Sequence, residues 1–146
     1  METSTQTGST ERKTTARFLP PTARILLALF LLFSGLNGFF QFVPPPKDLP
    51  EDFVKITGAL MQAGYLQVVF GTMVLVGLLL LVNRFVPLAL ALFAPILVGI
   101  ITFHIRMSPS TIGPAIFMLA LELFLAWAYR DAFRAMLKAR VFHSVK

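Results

Sequence analysis

A single acidic residue inside an otherwise apolar stretch sets the chemical question for this chain. Glu122 lies among leucines, alanines and aromatics in residues 114–133. An ionisable side chain within a membrane span is costly, and it normally faces a bundle interior or a wet cavity. There it could carry a proton or anchor the polar head of a ligand. The bland alternative is an interhelical hydrogen bond that locks its helix to its neighbours. Four other polar residues stand inside or at the rim of apolar runs: Asn37, Gln41, Gln67 and His104. With Glu122 they are the ligand- and proton-site candidates. His104 is the one base that could exchange a proton with Glu122, through an intervening water or ligand. The chain has no phosphate-binding glycine loop, nucleophile elbow or H-E-x-x-H motif. One carboxylate and a distant histidine make no complete catalytic set, so a stand-alone enzyme is not expected.

Four apolar runs position these residues: 23–43, 59–82, 85–105 and 114–133. A hydrocarbon core about 30 Å thick needs roughly 20 helical residues. The expected fold is therefore all-α, an integral membrane four-helix bundle. The apolar share is 56% and the charged share 14%, against about 25% charged residues in a soluble domain. Fifteen phenylalanines suit a lipid-facing surface. The net charge is +6, but the basic residues gather in the tails and turns, so the partner is anionic lipid rather than nucleic acid. There is no cysteine, which removes disulfides, thiolate nucleophiles and iron–sulfur ligation. His104 and His143 lie far apart in sequence, which argues against a haem held between them; no cofactor is evident beyond a quinone.

Residues 1–20 read as a disordered, basic, Ser/Thr-rich tail. The membrane domain is expected over 21–140, with a short C-terminal tail at 141–146. The basic stretch before Ile25 resembles a signal peptide, but the apolar run continues to Val43 without an A-x-A-like cleavage site. Thr22 is a candidate N-cap for the first helix. Pro44, Pro45 and Pro46 stop that helix. Asp48 and Glu51 have capping-box spacing and predict a short interfacial helix from near Pro50, through Phe53, Ile56 and Leu60, merging into the second span near Ala63-Gly64. Asn83-Arg84 makes a tight turn, so spans two and three are antiparallel. Pro95 falls within span three and predicts a kink. Gly71 and Gly77 thin span two for a close neighbour, and Ser34-x-x-x-Gly38 suits a close helix contact.

Ten lysines and arginines, including Arg24, Arg84, Arg130 and Arg134, fall on one side of this layout. Lys47, Lys55 and Arg106 fall on the other. The bias puts both termini in the cytoplasm and the protein, multi-pass, in a bacterial inner membrane. At about 1.5 Å per helical residue, Asn37 lies about 21 Å and Gln41 about 27 Å from the cytoplasmic start of span one. His104 lies about 28 Å along span three, and Glu122 about 12 Å below the outer boundary of span four. All five candidates are thus expected in the outer half of the bundle.

Several segments together resemble the DoxX family of small bacterial membrane proteins, over about residues 23–140. They are Leu32-Phe33-Ser34-Gly35-Leu36-Asn37-Gly38, then the stretch from Gly77 through Asn83-Arg84-Phe85-Val86-Pro87 to Leu90. Ala94-Pro95, Phe103-His104, Glu122-Leu123 and Ala126-Trp127 follow in order. The resemblance implies a four-helix bundle like that of DoxD-type subunits, which are tied to thiosulfate oxidation with quinone as acceptor. It carries over Asn37, His104 and Glu122 as the polar positions. This chain has Met73 and Gly99 where many members carry an acidic residue and an asparagine.

Two functions compete. The first is a membrane subunit that holds a quinone or similar amphiphile in the outer half of the bundle for a partner oxidoreductase, which supplies the electrons. The second is a non-catalytic scaffold whose basic tails recruit partners. Self-association into an oligomer is compatible with either.

Overall fold

The computed structural model describes residues 7–137, and side chains from residue 18 onward. The expected 141–146 tail, His143 and the start of the N-terminal tail lie outside the described residues. The described chain is entirely helical: α1 Thr7–Phe40, α2 Glu51–Gln62, α3 Tyr65–Leu81, α4 Val86–Met107, α5 Gly113–Ala128 and α6 Arg130–Met136, with a 3-10 turn at Pro109–Thr111.

By length and apolar composition, two segments can cross a membrane: Phe18–Phe40 within α1, and α4. The bent pair α2–α3 makes a third if taken as one span. At 16 residues, α5 is about 24 Å long, short of a 30 Å core. The chain breaks at Tyr129 and resumes as α6 for seven residues. Apolar side chains such as Phe33, Leu75, Val98 and Leu123 face outward, as a lipid-contacting surface requires. The chain therefore has the build of a helical membrane protein.

The start of α1 departs from expectation. The backbone is helical from Thr7, so the boundary at Pro20 marks no break, and Pro20 and Pro21 lie inside the helix. A polar, charged sequence lacks a core-facing stripe but does not by itself stop a helix. Pro20 and Pro21 sit within the helix without ending it, each lacking the N–H that would donate to the preceding turn. Thr22 is consequently not an N-cap. It sits mid-helix, where its hydroxyl donates to the Phe18 carbonyl at 2.8 Å. The Asp48/Glu51 capping box does not form either. Pro50 occupies the N-cap of α2, without a side-chain cap.

The short helix and its junction follow the expected pattern. Between α2 and α3 the axis turns by 80°. Gly64 makes the turn possible with φ +78°, a conformation that costs a residue with a Cβ roughly 1–2 kcal/mol. Asn83 and Phe85 both adopt left-handed backbone in the α3–α4 turn, at φ 56° and 53°. The α4–α5 turn is closed by Thr111, whose hydroxyl donates to the Ser108 carbonyl at 2.9 Å.

Packing runs in a ring: α1 contacts α3 and α5, and α4 contacts the same two. The closest approach is α1 on α3, and small residues permit it. A Cβ on Gly77 would lie 3.0 Å from the Ala28 carbonyl and 2.9 Å from Leu32. A Cβ on Gly35 would lie 2.9 Å from the Phe70 carbonyl, and Gly38 faces the Phe70 ring. Gly71 is looser, with its nearest neighbour atom at 3.9 Å. These contacts pair early α1 with late α3, so the helices are antiparallel. Short turns then alternate the direction through α4 to α5. The core is built from Leu27, Leu31, Val76, Leu80, Leu90, Phe93, Leu97 and Leu125.

Candidate functional site

Of the five sequence candidates, four serve local structure and one does not. Asn37 ends α1. Its side-chain oxygen accepts from the Val43 amide at 2.8 Å, and its carbonyl accepts from the Gln41 amide at 2.8 Å. Gln41 takes the left-handed conformation at φ 48° that closes a helix C-terminus, with its side chain exposed. Gln67 donates to the Met61 carbonyl at 2.9 Å and so ties α3 back across the bend to α2. These are caps and straps, and they engage Asn37 Oδ1 and Gln67 Nε2.

His104 is half-buried near the end of α4. Its Nδ1 lies 2.8 Å from the Ile100 carbonyl, which only accepts, so this nitrogen carries the proton. The ring meets Phe53 of α2 edge-on at 5.8 Å, and Phe53 lies 5.1 Å from Phe103. The three rings fasten α2 to the end of α4.

Glu122 stands apart. It shares the interior face of α5 with Ala115, Met118 and Leu125, at 6% exposure. Its Oε2 is buried and has no hydrogen-bond partner among the described residues. An unsatisfied buried acceptor costs about 1–3 kcal/mol, more if charged. It is six residues, about 9 Å, from the end of α5 and nine from its start. The outer-half grouping therefore does not assemble. Phe30 of α1 packs on Phe117 of α5 with centroids 5.7 Å apart. From that contact Asn37 lies seven residues toward one end of the bundle, and Glu122 lies five toward the other. The two are about 18 Å apart along the axis.

Arg24 is the residue that sequence reasoning missed. Counted as a cytoplasmic flank, it is instead 8% exposed, with Nε and Nη1 buried and unpartnered among the described residues. Its neighbours Ile25 and Leu26 face outward, while Ala23, Arg24, Leu27, Ala28 and Leu31 turn inward. That stripe at i, i+1, i+4, i+5 and i+8 is legible in the sequence and puts Arg24 on the core face. Arg24 and Glu122 are the two charged residues buried in the core among the described residues. Neither makes an ion pair there; the pair found is Arg134 with Asp131, exposed, at 3.5 Å.

Among the described residues, no group of three or more His, Asp and Glu side chains is placed to hold a metal ion. Compared with protein-family models, with curated proteins and with solved structures, the chain matches none.

Proposed function

We propose that this chain is a four-span bundle of the DoxX type, both termini cytoplasmic, in a bacterial inner membrane. On this reading α1, α3, α4 and α5 extended by α6 are its spans, with α2 lying in the interface. It holds a quinone or similar amphiphile for a partner oxidoreductase and is not itself a complete enzyme. The observation that carries the reading is Glu122: a carboxyl on the inward face of α5, enclosed by apolar side chains, with an oxygen left unpaired. Ligand sites between bundle helices have this make-up, mostly apolar walls with few polar groups. The site lies toward the end of the bundle where the apolar part of α1 begins, not at the end that holds Asn37 and His104. On this reading the partner supplies the electrons; the chain has no cysteine to hold an iron–sulfur centre.

The test is mass spectrometry of small molecules retained by gently purified protein, beside its Glu122→Gln variant. A near-stoichiometric amphiphile that the variant loses supports the reading. No bound amphiphile in either protein, even after reconstitution with added quinone, overturns it and leaves the scaffold.

A further inference from the structure

Helix α2 is bent away from α3 and held to the bundle at few points. None of its 12 residues is buried. Gly64 makes the 80° bend in left-handed backbone, and a Cβ there would meet nothing within 4 Å, so no other element packs on the bend at that point. The Gln67 side chain donates to the Met61 carbonyl beside the bend. At the far end of α2, Phe53 packs on Phe103 and His104. Phe53, Ile56, Thr57, Leu60 and Met61 are half-buried, at spacings i, i+3, i+4, i+7 and i+8, while Glu51, Asp52, Lys55 and Gln62 are exposed. One member of that underside is out of place. Thr57 Oγ1 is buried and has no hydrogen-bond partner among the described residues. Seating α2 strips water from this hydroxyl without replacing it, which opposes the aromatic contact at Phe53.

We infer that α2 is a hinged flap that pivots at Gly64 and covers His104 when seated. The flap is independent of the amphiphile reading, because Glu122 lies toward the other end of the bundle. Its apolar underside has two seats. One is the end of the bundle; the other is the membrane boundary, where an amphipathic helix lays its apolar face among lipid. The Thr57 hydroxyl regains water when the flap lifts, and Phe53 regains its aromatic partners when the flap closes. Opposed terms of this kind make a two-state element. What the flap governs is access to His104, the one histidine among the described residues. The Ile100 carbonyl engages its Nδ1 proton, which leaves Nε2 as the acceptor of the ring. Lifting α2 takes the Phe53 ring off the imidazole and opens it to protons and hydrogen-bond donors at that end of the bundle.

The experiment uses the full chain in lipid nanodiscs, with nitroxide labels on Lys55→Cys and Ser110→Cys. Both positions are exposed, and the chain has no cysteine of its own to compete for label. Lys55 stands nine residues from Gly64, a lever of about 14 Å, so a lifted flap separates the labels measurably. Double electron–electron resonance should show two distances in the doubly labelled parent. Thr57→Val removes the stranded hydroxyl and should lower the long-to-short ratio at least about fivefold. Phe53→Ala removes the latch and should raise it at least about fivefold. In unlabelled protein, acylation of His104 by diethyl pyrocarbonate is read by mass spectrometry, with His143 as internal reference. It should follow the same ratio, slower in Thr57→Val and faster in Phe53→Ala. A single distance in the parent overturns the flap, whatever the variants show. Two distances that Thr57→Val does not shift overturn the balance drawn from the hydroxyl. Two distances that it does shift, with His104 acylation unchanged, overturn the covering of His104. None of these outcomes touches the amphiphile reading, which is tested by ligand retained at Glu122.

Discussion

The strongest consequence of burying Arg24 and Glu122 in one core is that their effects on stability must not add. Consider Arg24→Met, Glu122→Leu and the double variant, each replacing a buried charged side chain by an apolar one of similar length. Either single change strands the remaining group in the core. Removing one partner of a buried pair typically costs about 3–5 kcal/mol, whereas replacing both by apolar residues is often neutral or stabilising. The lower end of that range, about 3 kcal/mol, is the working figure. For a chain of this size, 1 kcal/mol shifts the melting temperature by about 2–4 °C. Each single variant should therefore melt about 6–12 °C lower than the parent, and the double variant close to it. The assay is thermal unfolding in detergent, without added amphiphile, followed by helical circular dichroism. A double variant whose loss equals the two single losses within about 0.5 kcal/mol means that Arg24 and Glu122 do not feel each other. That outcome would refute the coupling.

Other substitutions separate the residues that hold the fold from those that hold a ligand. Asn37→Ala removes the acceptor of the Val43 amide and should cost about 1 kcal/mol in a thermal melt, while retained amphiphile is unchanged. Gln41→Gly relieves the left-handed backbone at φ 48° and should stabilise by roughly 1 kcal/mol, read in the same melt. Gly77→Val forces α1 and α3 apart, because even a Cβ would sit 3.0 Å from the Ala28 carbonyl. A loss of about 1–3 kcal/mol is expected, with helicity retained. Phe53→Ala removes the ring between α2 and the end of α4, and amide exchange should quicken in α2 but not in α4.

The coarse architecture was legible because bilayer thickness writes itself into run length. The long apolar segments of α1 and α4 needed only counting, and the α2–α3 break at Gly64 and the turn at Asn83-Arg84 stand out as local breaker signals. The start of α1 was not legible, since a polar composition is shared by tails and by exposed helical extensions. Asn37 and Gln41 turn on a related point. A polar side chain near a span end reads as a ligand site until the exact helix terminus is known. Only then does it become clear that Asn37 Oδ1 is occupied by the Val43 amide. Gln67 is the same case at the start of α3, where the Met61 carbonyl accepts from its side-chain amide as well as from the Gly64 amide.

Arg24 shows how a correct rule can conceal a site. Lysine and arginine counts orient a membrane protein because most of them are excluded from hydrocarbon and accumulate at one face. A count cannot distinguish an arginine at the boundary from one a few ångströms inside it, and Arg24 enters the tally with Arg84 and Arg130. The helical face separates them. Residues 23, 24, 27, 28 and 31 fall on one stripe, and a stripe otherwise made of alanine and leucine has no reason to admit a guanidinium unless something on the facing helix answers it. Glu122 is the buried acid on the facing helix, and it too stands in an otherwise apolar stripe. Each residue looks like an isolated defect when its own span is read alone. Folding makes α1 and α5 antiparallel neighbours, and the two costly exceptions come to lie in one core. A buried charge is costly unless something satisfies it, and two such residues on neighbouring helices of one core make the demand for a polar partner there twice over.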